Sequence, residues 1–133
     1  MSEENVEIVR RSFAAYDSGG LDAWAEFWHP DIDWRAVEGY IDDVGLIRGR
    51  DRLRQHYRQW EETFDAVRIE IEELTKAGDE VVALLRMVGR MKGSDAEIDI
   101  SYAVVISIRD GKIARGREYS TREEALEAAG LSE

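Results

Sequence analysis

Apolar positions recur every three to four residues in the first half of this chain and every second residue in the second half, with the change near residue 65. Val6, Val9, Phe13 and Tyr16 share one helical stripe, with Ser2 placed to cap it and Glu3 and Glu4 in its first turn. Ser18-Gly19-Gly20 breaks that helix. Leu21, Trp24, Ala25, Phe27 and Trp28 then predict a short second helix, stopped at His29-Pro30. Asp31 to Arg35 alternates and predicts a short strand with Ile32 and Trp34 on one side. Residues 36–47 read as a loop that would serve as a lid. Gly49-Arg50-Asp51 opens a third helix in which Leu53, Tyr57, Trp60 and Phe64 form one stripe with His56 at its edge.

Beyond residue 65 the pattern is that of strands. Val67, Ile69 and Ile71 alternate with Arg68, Glu70 and Glu72, and Ala77-Gly78-Asp79 turns the chain into Val81–Met91, an apolar strand interrupted by Arg86. Lys92 to Asp95 turns it again, and residues 97–120 predict a long hairpin around Asp110-Gly111. Two registers compete. A two-residue type I′ loop pairs Arg109 with Lys112 and sets Glu118 opposite Ala103. A three-residue loop pairs Ile108 with Lys112, sets Glu118 opposite Tyr102, and matches Ile106, Val104 and Tyr102 with Ala114, Gly116 and Glu118. The second is preferred, because bulky side chains then meet small ones across one face. Ser120 or Thr121, with Glu123 or Glu124 three residues on, offers overlapping capping boxes for a last helix ending near Gly130.

Helices first and four antiparallel strands later predict an α+β layer fold, a curved sheet closed on one side by helices as a cone with a cavity. At 133 residues the chain reads as one domain, 1–133, able to bury about two-thirds of its unfolded surface. The net charge of −11, from 29 acidic and 18 basic residues, argues against nucleic acid or anionic lipid as a partner, since phosphate backbones need clustered positive charge. Arg48, Arg50, Arg52, Arg54 and Arg58 do form a basic run, but Asp51, Glu61 and Glu62 are interleaved with it. Without cysteine there is no disulfide framework or thiol nucleophile, and two histidines make no zinc motif, so neither metal nor cofactor is expected. An acidic N-terminus and the lack of a long apolar run predict a cytoplasmic protein without a membrane span.

Four stretches carry a family resemblance: Phe27-Trp28-His29-Pro30-Asp31-Ile32, Arg48-Gly49-Arg50-Asp51, Arg109-Asp110-Gly111-Lys112-Ile113, and the tail Arg122–Leu131. Over essentially its whole length the chain resembles the SnoaL-like branch of the NTF2-like superfamily, the cone fold of ketosteroid isomerase and limonene epoxide hydrolase. That resemblance implies a homodimer, and the alternation of the late strands is compatible with one, since it puts Val105, Arg115 and Tyr119 on one outer face. It also removes possibilities. The position of the isomerase's aspartate base falls on Ala36, its oxyanion tyrosine near Ser12 and its second acid near Val104, although Glu38 lies close enough in sequence to reach the same space. The hydrolase's catalytic carboxylate on the last strand is matched by Glu118, and its arginine-x-aspartate strand by Arg86-Met87-Val88, which keeps the arginine and loses the acid.

The candidate chemistry follows from these positions. Arg86 in an apolar strand calls for an acidic partner, and Glu118 is the obvious one, either as a scaffold ion pair or as a pair orienting a ligand. His56 suits a proton shuttle or a hydrogen-bonded structural role. Trp34, Tyr40, Tyr57, Trp60 and Tyr102 are candidate walls for a small apolar molecule, or core. Two functions therefore stand: an acid/base isomerase, cyclase or hydrolase using Glu118, Arg86 and His56 on a polyketide, terpenoid or steroid-like ligand, or a dimeric pocket protein that binds such a ligand without turning it over.

Overall fold

The change of period along the chain is a change of layer in the computed structural model, which describes residues 2–36 and 45–131, the Ser2 side chain excepted. Helix α1 (Ser2–Ala25) and helix α2 (Arg50–Thr63) lie on one side of a six-stranded sheet. Its strands are β1 (Trp28–Arg35), β2 (Leu46–Arg48), β3 (Phe64–Ala77), β4 (Glu80–Met91), β5 (Glu97–Arg109) and β6 (Lys112–Tyr119), and the chain closes with helix α3 (Arg122–Ala128). The order across the sheet is β2-β1-β6-β5-β4-β3, with β1 parallel to β6 and the other neighbours antiparallel. The fold is α+β, as expected, and the sheet is mixed and open. No helix among the described residues is long and apolar enough to cross a membrane. The expectations placed on the Ser2 side chain, Glu38 and Tyr40 lie outside the described residues.

The break expected near Gly19-Gly20 is a kink at Gly20, whose φ of 80° and ψ of −165° separate two helical runs. The second run is shorter than its apolar spacing predicts. Phe27 closes it in a turn by donating to the Trp24 carbonyl at 3.0 Å, and Trp28 already belongs to β1. Pro30 is tolerated within that strand because the β1–β6 register shifts between Trp28 and Asp33, where no ladder bond is required of it. The end of the segment expected to be a loop is a strand, β2, which pairs Ile47 with Trp34. Gly49, at φ 93°, leads into α2 as predicted. Thr121 caps α3, its hydroxyl accepting from the Glu124 N–H at 3.2 Å, while the Glu124 carboxylate accepts from the Ser120 and Thr121 hydroxyls.

The hairpin register is neither of the two read from the sequence. Asp110 and Gly111 both have positive φ, 56° and 75°, so the turn is the two-residue type and Arg109 pairs with Lys112. Between Ser107 and Ile108 the register then shifts, leaving Ala114 as the extra residue, and Ile106 faces Gly116 while Val104 faces Glu118. The preferred register had the right alternation and the wrong partners by two residues. The bulge restores bulky-against-small pairing behind a turn whose local sequence demands the tighter loop.

The main core lies between the helices and the concave face. Val9, Phe13, Trp24 and Tyr57 of the helices meet Val81, Ala83, Leu85 and Met87 of β4 and Val104 and Ile106 of β5. A smaller cluster lies on the convex face, where Ala125 and Leu126 of α3 cover Val82, Ala103 and Val105. Val105, expected at a homodimer surface, is thus buried by the chain's own last helix.

Candidate functional site

Alternation along β6 puts Gly116 and Glu118 on the concave face and Arg115 and Arg117 on the convex one. Trp34 on β1 stands beside Gly116, and its ring fills the space a side chain would need: a Cβ at Gly116 would sit inside the indole. So placed, the Trp34 Nε1 donates to Glu118 Oε2 at 2.8 Å. A carboxylate leaning into an apolar wall needs a donor, and the Trp34 N–H supplies one, whereas the buried N–H groups of Trp24 and Trp28 have no acceptor among the described residues. Tyr102 shares the concave face two residues along β5 from Val104, the partner of Glu118. Burial, then the charge of Glu118 and the neighbouring Tyr16, hold its phenol well above the ordinary tyrosine range.

Tyr16 extends this polar series to the helices. Its hydroxyl donates to Glu61 Oε2 at 2.8 Å, and burial together with that carboxylate raises its pKa. The two phenols therefore stay protonated at neutral pH, and that of Tyr16 donates to Glu61. A cleft of about 230 Å³ opens here, lined by Tyr16, Glu61, Phe64, Asp65, Ala66, Val67 and Lys92. It is smaller than the roughly 300–1,000 Å³ of pockets that enclose drug-sized molecules. The sequence places Tyr16 on the apolar stripe of the first helix and Glu61 among the acids interleaved with the arginine run. The signal for Glu61 was present: it follows Tyr57 by four residues, on the same stripe as Leu53 and Phe64.

Arg86 is elsewhere. On β4 it alternates with the concave Leu85 and Met87, so it projects from the convex face, where its Nε and Nη2 bind Asp99 Oδ1 and Oδ2 at 2.8 and 2.6 Å. The Arg86–Glu118 pair is corrected accordingly: the sheet lies between them, and Trp34 is one group that holds Glu118. Val88, at the position of the hydrolase's second acid, is on the convex face as well, opposite Asp99 and Arg68. His56 is half-buried on α2, edge-on to Tyr57 with ring centroids 5.1 Å apart. Trp34 and Tyr57 are buried in the core, with Trp60 and Tyr102 packed against it and less deeply covered. Among the described residues no three His, Asp or Glu side chains converge to hold a metal ion.

The SnoaL-like domain model matches residues 9–116, from the first helix to the glycine beneath Trp34. The chain belongs to the SnoaL-like domain family. Among solved structures it is similar to an NTF2-like protein from Burkholderia xenovorans, with 26% identity, 97% of each chain covered and a TM-score of 0.72. It is likewise similar to a protein from a soil-derived mobile gene cassette, with 25% identity, 88% of each chain and a TM-score of 0.74. A Jannaschia protein assigned as a SnoaL-like polyketide cyclase shares 22% identity over 97% of this chain and 92% of its own, with a TM-score of 0.75, and shows the same fold. No curated protein matches the sequence.

Proposed function

We propose that this SnoaL-like chain is a small-molecule pocket protein whose Glu118 moves a proton on an apolar ligand of polyketide, terpenoid or steroid-like kind, in an isomerisation, cyclisation or hydrolysis. The observation that supports this reading is the Trp34–Glu118 hydrogen bond: an indole donor aims a carboxylate on an apolar wall, flanked by a phenol held in its protonated form. A carboxylate so placed takes a proton from a carbon or oxygen of the ligand, and Tyr102 or Tyr16 offers a hydrogen bond to the negative charge that develops. Trp60 supplies apolar wall, and His56, beside Tyr57, is a relay to solvent. The assignment of a similar Jannaschia protein as a polyketide cyclase is consistent with this ligand class. The chemistry asked of Glu118 uses side chains alone. We further infer a single domain over residues 1–133, residence in the cytoplasm, and a homodimer with no nucleic acid or membrane partner; sedimentation that finds only monomer at micromolar concentration counts against the dimer.

Binding without turnover is the second reading. What favours it is the position of Arg86 and Val88, the residues matched to the epoxide hydrolase's arginine and second acid, on the face opposite Glu118. One experiment separates the two: turnover and affinity across a panel of polyketide, terpenoid and steroid-like compounds, for the wild type and Glu118→Gln. Lost turnover with retained fold and affinity identifies an enzyme. No turnover of any compound, with affinity equal in both proteins, leaves a binding protein.

A further inference from the structure

Five aromatic rings meet where α1 gives way to β1: Phe13, Tyr16 and Trp24 of the helix, Trp28 of the strand and Tyr57 of α2. Trp24 is at the centre, its ring centroid 4.7 Å from that of Tyr16, 4.9 Å from Tyr57 and 5.2 Å from Trp28. Trp24 and Trp28 are 2% and 1% exposed, and the Nε1–H of each is buried with no acceptor among the described residues. Their mutual edge contact offers at most a weak N–H···π bond to one of the two. Two donors left open in one cluster are unusual in a native core, where buried polar groups are nearly always paired.

The same side holds a third open donor. Tyr102, on the concave face, makes no hydrogen bond among the described residues, and it lies near enough to Tyr16 to feel that phenol's charge. Tyr16 has already given its own hydrogen to Glu61. Its ring lines the cleft of about 230 Å³ and touches Trp24, so a molecule entering there reaches the indoles by turning Tyr16 aside. An indole N–H carries no lone pair. Neither a hydrocarbon nor an ammonium group can answer it, whereas an oxygen with lone pairs can.

We propose that this pocket recognises its ligand through a carbonyl oxygen that accepts an indole N–H of the Trp24–Trp28 pair, which selects flat ring ketones over hydrocarbons and amines. The surrounding rings suit a flat ligand by stacking or edge contact. A site whose buried donors are left open by the wrong ligand discriminates strongly against it. The inference rests on the reading of the concave side as a ligand pocket, and it narrows the ligand class given there.

The test is titration of the isotope-labelled full chain with 1-indanone, a flat ring ketone, and with indane, the same bicycle without the oxygen. The indole N–H resonances report it, assigned through their contacts with the rings of Phe13 and Tyr57. Expected are saturable binding of 1-indanone at least about tenfold tighter than that of indane, and a downfield shift of a Trp24 or Trp28 N–H that indane does not produce. Trp24→Phe or Trp28→Phe, checked by circular dichroism, should remove most of this preference; the ligand comparison on the unaltered chain stands whether or not either variant folds. The proposal is overturned by the absence of 1-indanone binding, by equal affinity for the two compounds, by indole signals that respond alike to both, or by a crystal structure of the free protein with an ordered water on each Nε1 atom. Glu118→Gln keeps the two readings apart. If it loses turnover of a panel compound while 1-indanone moves neither indole signal in the wild type, only the carbonyl site fails. If 1-indanone moves them in wild type and variant alike and no compound is turned over, only the proton transfer fails.

Discussion

On the concave face of the sheet Glu118 is held by a buried indole among Leu85, Val104 and Ile106, whereas on the convex face Arg86 with Asp99 and Arg122 with Glu73 form ion pairs open to water. The strands are the same and the side chains alternate between the two environments. What differs is desolvation. In the apolar layer a carboxylate must find a partner and is thereby fixed in place, while at the wet surface a pair contributes little because water and salt compete for it. Chemistry belongs on the first face, where a held carboxylate differs most from one in water, and interchangeable charge pairs on the second.

Truncating the concave wall should have the largest effect: Leu85→Ala is expected to destabilise by roughly 2–5 kcal/mol in chemical denaturation, from lost burial and the cavity left behind. Next comes Gly116→Ala, expected to cost about 1–3 kcal/mol, because its methyl must displace the Trp34 ring. That variant should also quench or shift the tryptophan emission. An unchanged spectrum and stability would show that Trp34 is not held against β6. Trp34→Phe keeps most of the ring and removes the N–H, so it should lower any Glu118-dependent turnover more than it lowers the melting temperature.

Titration probes the same contrast at both ends of the pH scale. Tyr16 and Tyr102 have raised pKa values, so the stability they contribute is fully present below about pH 10 and lost as pH rises beyond it. Their phenolate absorbance, taken as the difference between the wild type and Tyr16→Phe or Tyr102→Phe, should appear at higher pH than that of free tyrosine. On the convex face the hydrogen bond from Arg86 lowers the pKa of Asp99, and that from Arg122 lowers Glu73. Their contribution is present above the ordinary carboxylate range and lost as pH falls through the depressed values. The smallest effect is expected from Arg86→Gln, which should remove part of this acid-side loss and leave stability at neutral pH nearly unchanged. A large loss at pH 7 would place Arg86 in a role beyond its pair with Asp99.

The elements were legible where one physical signal acted alone. The helical stripes of α1 and α2, the glycine kink, the Thr121 cap and the alternation of the late strands follow from local geometry, and they sufficed for an α+β fold. Where two local signals competed, the outcome needed the whole sheet. Trp28 has helical spacing yet joins β1, because an edge of the sheet is there to receive it. The Asp110-Gly111 turn and the packing of Ile106 on Gly116 are both satisfied only through the bulge at Ala114, which no dipeptide announces. Alternation alone put Arg86 on the face opposite Leu85 and Met87, but only the register of β4 against β5 identified that face as convex and brought Asp99 within reach. The partner of Glu118 comes from Trp34, 84 residues away, across a β1–β6 pairing that is parallel and closed by no hairpin. Contacts of that range are set by how the layers stack, and so they belong to the tertiary structure.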